Sequence, residues 1–124
     1  MRGISFWFFL SATIYVLCGM AFGIWMAISE DHMLASAHAH LNLIGWVSMA
    51  IFGIYYHLVP AAGLSGLAKL HFAVQTIGLW LIVPGIGLAV MGITPALAGI
   101  GSIFTILGML LFVIIVLRTR GQAA

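Results

Sequence analysis

The sequence predicts an all-α, polytopic membrane protein, a single bundle of four transmembrane helices joined by short links. Three observations predict it. The residues are 65% hydrophobic and only 5% charged, with a mean hydropathy of +1.28; so few charges cannot cover a surface in water. Four apolar runs are each long enough to cross a hydrocarbon core of about 30 Å, which takes roughly 20 helical residues. The few cations fall at alternate ends of those runs. Spans and links consume nearly all of the 124 residues, which predicts one domain, 1–124.

The first span covers residues 4–28. Its apolar core is longer than the roughly 7–15 residues of a signal-peptide core, and no small-residue cleavage site closes it, so it is read as a permanent helix. The second span, 33–59, follows Ser29 and Asp31, either of which can cap it, and is stopped by Pro60 and Gly63. Ser65 and Gly66 complete the next link. The third span, 67–91, contains Pro84, which removes a backbone hydrogen bond, frees the Trp80 carbonyl and predicts a kink. Thr94 followed by Pro95 is a start signal for the fourth span, 95–117.

Arg2, Lys69, Arg118 and Arg120 fall at the N-terminus, the second link and the C-terminus, while Glu30 and Asp31 occupy the first link. Four alternating spans put every basic site on one side, which the positive-inside rule makes cytoplasmic, so both termini are expected inside. The net charge of +2 says little about partners; the position of the charges at span ends says more, and the expected partners are membrane lipid and no nucleic acid. Trp7, Trp25, Tyr55 and Tyr56 sit near span ends, as interfacial aromatics do. Cys18 stands alone in mid-span and is read as a small apolar filler. The pairs Gly19 with Gly23 and Gly101 with Thr105 have the small-x-x-x-small spacing of close helix crossings.

With so few charges, the five histidines hold most of the polar chemistry. His38 and His40, in the run S-A-H-A-H-L-N-L-I-G-W, lie in the outer third of the second span. An unpartnered polar ring in lipid costs roughly 1–3 kcal/mol or more, and ionisable groups inside spans are functional candidates by default. Two residues apart on a helix is about 200°, so the two rings leave opposite flanks and serve separate sites. Asn42 lies about 40° from His38 and can bond a ligand ring or a neighbouring helix. His57 is about 25 Å further along the rod and shares no small metal with the pair. His57 and His71, near the inner ends of their spans, can either face each other as a second metal site or stand as two interfacial rings. His32 is read as a solvated link residue. Gln75 and Asn42 lie at different depths, each suited to an ordinary interhelical hydrogen bond.

Imidazole is the usual axial ligand of haem iron, and the small neighbours Ala35, Ala37 and Ala39 admit a flat macrocycle. No other span offers a histidine at the outer depth, so a second axial imidazole must come from another copy of the chain, or from His32 if its link folds inward. The absence of C-x-x-C-H implies non-covalent haem b. Two other readings stand beside it: a copper- or zinc-binding membrane protein using His32, His38 and His40, and a structural or assembly subunit of a larger respiratory complex.

The run His38-Ala39-His40, within A-H-A-H-L-N-L-I-G-W-V, resembles the haem-binding helix of the haem-copper oxidase and nitric oxide reductase catalytic subunit. That resemblance implies His38 and His40 as axial ligands of haem iron, with Asn42 beside them. The family's subunit has twelve helices in three arcs of four. This chain looks like one arc, and a homotrimer would rebuild the ring, with His38 of one copy facing His40 of the next across each haem. The family's adjacent copper-site histidines and its histidine-proline-glutamate run are absent from this sequence, so oxygen or nitric oxide reduction does not carry over. What carries over is haem binding; the expected activity is electron transfer or haem-based sensing in a bacterial cytoplasmic membrane, with a quinone or a cytochrome as electron donor.

Overall fold

A computed structural model describes residues 1–122 of the chain. Four helices, Gly3–Ser29, Ala35–Leu58, Gly66–Val90 and Ala96–Arg118, are each long and apolar enough to cross a membrane, and no strand occurs among the described residues. They are numbered first to fourth here. Each predicted end lies within a residue or two of the observed one. That agreement follows from composition, because the apolar runs stop where the polar link residues begin.

The links are built differently from the prediction. Ser29 and Asp31 do not cap the second helix, whose start at Leu34 carries no side-chain cap bond. They instead fold the link itself: the Ser29 hydroxyl accepts from the Asp31 amide at 3.2 Å, and Asp31 Oδ1 accepts from the Met33 amide at 3.0 Å. Short polar side chains satisfy nearby amides as readily in a turn as at a cap. Pro60 does stop the second helix, but it then opens a single helical turn, Pro60–Gly63. The third helix is capped by Ser65, whose hydroxyl accepts from the Ala68 amide at 3.3 Å. It runs unbroken through Pro84 and closes with Gly92 at φ +75°. There the Ile93 amide donates to Leu88 and the Gly92 amide to Ala89, the paired bonds of a glycine-terminated helix. The fourth helix begins at Ala96, whose amide donates to the Thr94 hydroxyl at 3.2 Å, with Pro95 one position outside it.

Successive helices alternate in direction, and glycine sets how closely they approach. On the second helix, Gly45 lies against Tyr15 and Gly53 against the backbone of Ser5 and Phe9. Between third and fourth, Gly78 meets Phe104 and Thr105, Gly85 meets the backbone of Ala98, and Gly101 meets Ile82. Lipid supplies no hydrophobic drive between helices, so association relies on such close packing. The packed core sits in one half of the bundle. Phe8 and Ala12, Met49 and Phe52, Ala68 and Ile115 bring all four helices together there. This half ends at Arg2, Lys69 and Arg118, and is called the basic end below. The outward face is apolar throughout, with Ile24, Ile106 and Trp80 each more than 60% exposed, as a lipid-facing surface requires. Trp7 and Trp25 are exposed as expected of interfacial rings, but Tyr56 is buried in the core. Cys18 is also exposed rather than filling a core.

A Cβ placed on Gly101 would lie 2.5 Å from the Ile82 backbone nitrogen, whereas one on Gly99 meets nothing within 4 Å. Gly101→Ala is therefore expected to lower stability by about 1–3 kcal/mol, since backbone cannot step aside. Gly99→Ala is expected to leave stability unchanged or raise it slightly. Unfolding midpoints of both variants in the same detergent check this.

Candidate functional site

The first and second helices cross where Gly19 and Gly23 face Asn42 and His38. A Cβ on Gly19 would fall on the Asn42 amide, and one on Gly23 would stand 3.2 Å from His38 Nε2. The two glycines have separate tasks. A helical carbonyl points toward the residue four positions on, so the bare Gly23 uncovers the second lone pair of the Gly19 carbonyl. His38 takes that lone pair: its Nε2 lies 2.9 Å from Gly19 O. A carbonyl only accepts, so Nε2 carries the proton. The Phe22 ring stands edge-on to the imidazole at 5.5 Å. The Asn42 amide approaches the same nitrogen at 3.2 Å. Because that nitrogen donates, the amide atom able to bond it is the oxygen, and the amide is read in that sense. The other amide atom of Asn42 then lies buried without a partner among the described residues.

His40 is arranged in the opposite way. Its Nδ1–H donates to the Ser36 carbonyl at 2.8 Å, on the exposed surface of the helix. Nε2 then keeps its lone pair. A backbone carbonyl holding one imidazole nitrogen while the other stays free is the usual arrangement of a metal-ligating histidine. His38 and His40 thus leave opposite flanks of the rod, as their spacing predicts, and they carry their protons on different nitrogens. Immediately after His40 the backbone widens into a π-helical segment, Leu41–Ser48, in which the Ser48 hydroxyl donates to the Leu43 carbonyl at 2.9 Å. Single-turn π segments often mark functional positions. Nothing in the sequence pattern signals this one.

At the basic end, His57 is exposed and lines a cavity of about 430 Å³ with Arg2, Ser5, Tyr56 and Leu64. His71 does not stand at an interface. It is completely buried, within 5.0 Å of Phe8 and 4.5 Å of Phe52 by ring centroids, and stacked on Phe112 at 5.5 Å. Its Nδ1 bonds the Tyr56 hydroxyl at 2.8 Å; its recorded partner is Tyr56 rather than His57. Gln75, one turn along, is buried too, but its Oε1 has no partner among the described residues, in place of the interhelical bond expected of it. His32 is exposed in the first link. No group of three or more His, Cys, Asp or Glu side chains able to hold a metal ion occurs among the described residues. The Tyr56–His71 bond was legible in principle, since both residues flank the same short link, one on each antiparallel helix.

No protein-family model matches this chain, nor does any curated protein or any solved structure.

Gly19 and Asn42 form a notch and its filling, so their substitutions should not add. Gly19→Ala alone pushes a methyl onto the amide and is expected to destabilise the protein. The same change in an Asn42→Ala background meets open space and should cost less. A coupling of about 0.5–3 kcal/mol is expected for groups in direct contact, read from a double-mutant cycle of unfolding in detergent.

Proposed function

We propose that this chain is a membrane haem b protein in which His40 supplies an axial imidazole and an adjacent copy supplies the other. One observation carries the reading: His40 offers Nε2 with its lone pair free, at the outer surface of a span, its ring held by Ser36 O at 2.8 Å. The residues suit the group. Ala35 and Ala39 on the exposed face leave room for a flat macrocycle, and iron of this kind takes imidazole through a single nitrogen. When bound, the haem would supply one-electron chemistry, with the protein setting its potential through ligation and burial.

His38 enters the reading differently. In the trimeric ring suggested by the likeness to one arc of the haem-copper oxidase subunit, His38 of one copy faces His40 of the next. His38 must then swing off the Gly19 carbonyl. A hydrogen bond of that kind contributes about 0.5–1.5 kcal/mol net, which ligation to iron can offset. Until it swings, His38 acts as a positioning residue, holding the second helix at a fixed rotation so that His40 faces outward. Electron transfer or haem-based sensing in a bacterial cytoplasmic membrane, fed by a quinone or a cytochrome, is the activity proposed for the assembly.

The test is an optical spectrum of protein purified in detergent, together with its mass. A Soret band of six-coordinate haem is expected from the native chain, and its loss is expected from His40→Ala. In the ring arrangement His38→Ala loses it as well. A His38→Ala protein that keeps the full six-coordinate spectrum would leave His40 of two copies as the axial pair. Metal without a Soret band would point to copper or zinc, and a colourless native preparation from haem-replete cells would end the proposal.

A further inference from the structure

Two of the buried polar atoms without a partner among the described residues lie one turn apart on the third helix. His71 Nε2 and Gln75 Oε1 are both buried and without a hydrogen-bond partner among the described residues, on side chains 0% and 3% exposed. An unsatisfied polar atom in such a place costs about 1–3 kcal/mol, and native proteins rarely keep one without a reason. Here the two are complementary. They stand one turn apart on the same face of the third helix, about 6 Å along its axis. Gly108 on the fourth helix makes the space, because a Cβ there would fall on Gln75 Oε1.

We infer that His71 and Gln75 bind one internal water, and that Tyr56 joins this site to the cavity at the basic end through a hydrogen-bonded chain. The Tyr56 hydroxyl donates to His71 Nδ1, His71 Nε2–H donates to the water, and the water donates to Gln75 Oε1. A buried water needs two or more polar partners, which these two atoms supply. Tyr56 lines the cavity that Arg2 and His57 also line while its hydroxyl lies 2.8 Å from His71. It is the one side chain touching both places among those named here. The chain therefore carries hydrogen exchange between the aqueous end and the bundle interior. A proton reaching the Tyr56 oxygen releases the hydroxyl proton to Nδ1, and Nε2–H passes its own to the water, which holds the extra proton as hydronium until it returns one along the same path. The imidazole is left neutral in its other tautomer, and the reverse steps restore it. No net charge has to stay on the ring.

Nuclear magnetic resonance of the whole protein in nanodiscs, with ¹⁵N-labelled histidine, tests this. His71 is expected as the neutral ring protonated on Nε2, with magnetisation passing from water to that proton. Gln75→Leu, close in volume, should abolish the transfer while leaving the Nδ1 signature of the Tyr56 bond. Tyr56→Phe should slow deuterium exchange of Nε2–H severalfold relative to the native chain. A ring protonated on Nδ1, or an Nε2 proton that receives nothing from water, would overturn the water site. Exchange unaltered in Tyr56→Phe would overturn the route through the tyrosine. Because none of these readouts involves haem, they stand or fall apart from the optical spectrum of the preceding section.

Discussion

A glycine set opposite a polar side chain is the constraint on which this bundle depends. In lipid, helices gain little by hiding apolar surface from one another, because the solvent is apolar already. What distinguishes one arrangement from another is contact at close range and the partnering of the few polar groups. Glycine notches supply the close contact, and they seat polar side chains in it. Gly19 and Gly23 take the Asn42 amide and the His38 ring into the first crossing, and Gly108 takes the Gln75 amide between the third and fourth helices. In each case a missing Cβ is filled by an amide or an imidazole rather than by a methyl group. Register and rotation follow, since a slip by one residue would set polar groups against β-carbons and leave the glycines facing lipid.

The bundle consequently divides into halves with different work. Toward the basic end, aromatic rings from the other three helices close around His71, with Phe8, Phe52, Tyr56 and Phe112 all within 6.0 Å of its centroid. That half is a packed core in the ordinary sense. The other half holds the first and second helices together mainly through the His38–Gly19 crossing, and the third and fourth through backbone contact at Gly85 and Gly101. Between the two pairs lies an apolar groove of about 310 Å³ lined by Tyr15, Cys18, Leu41 and Leu79, at whose rim the Trp80 indole N–H donates to the Tyr15 hydroxyl at 3.0 Å. The half that is packed less tightly is the half that presents His40.

Much of this was legible in the sequence because membrane spanning is a matter of composition and length. The four helices were readable from apolar runs ended by polar links, and the opposed rings of His38 and His40 from the angle between neighbours on a helix. The Gly19–Gly23 pair was readable as a crossing, although not what it crosses. Other features depend on which face meets which neighbour, and one sequence holds no such information. His71 and Tyr56 have the look of interfacial residues by position, and only the packing of Phe8 and Phe112 against them makes them core. Ser29 and Asp31 have the chemistry of caps, yet the link needed their oxygens first. The π-helical segment leaves no trace in the pattern, since Leu41 to Ser48 reads as ordinary apolar helix.

The contrast between His38 and His40 shows how one residue of spacing separates two chemical roles. Both are imidazoles on the same turn of the same helix. His38 meets a carbonyl from another helix and must protonate Nε2 to bond it, so its long end points into the protein and is engaged. His40 meets the carbonyl of Ser36, one turn back on its own helix, and bonds it through Nδ1, the nitrogen nearer the backbone. Its other nitrogen has no hydrogen bond among the described residues. The tautomer is thus decided by which carbonyl lies within reach, and the carbonyl is decided by rotation about the helix axis. An Asn or Gln at position 38 could keep a bond to Gly19, whereas at position 40 an imidazole joins a backbone anchor to a second ring nitrogen with no bond of its own among the described residues. The two rings thus stand in different environments, His38 tied across the helix crossing and His40 tied to its own helix.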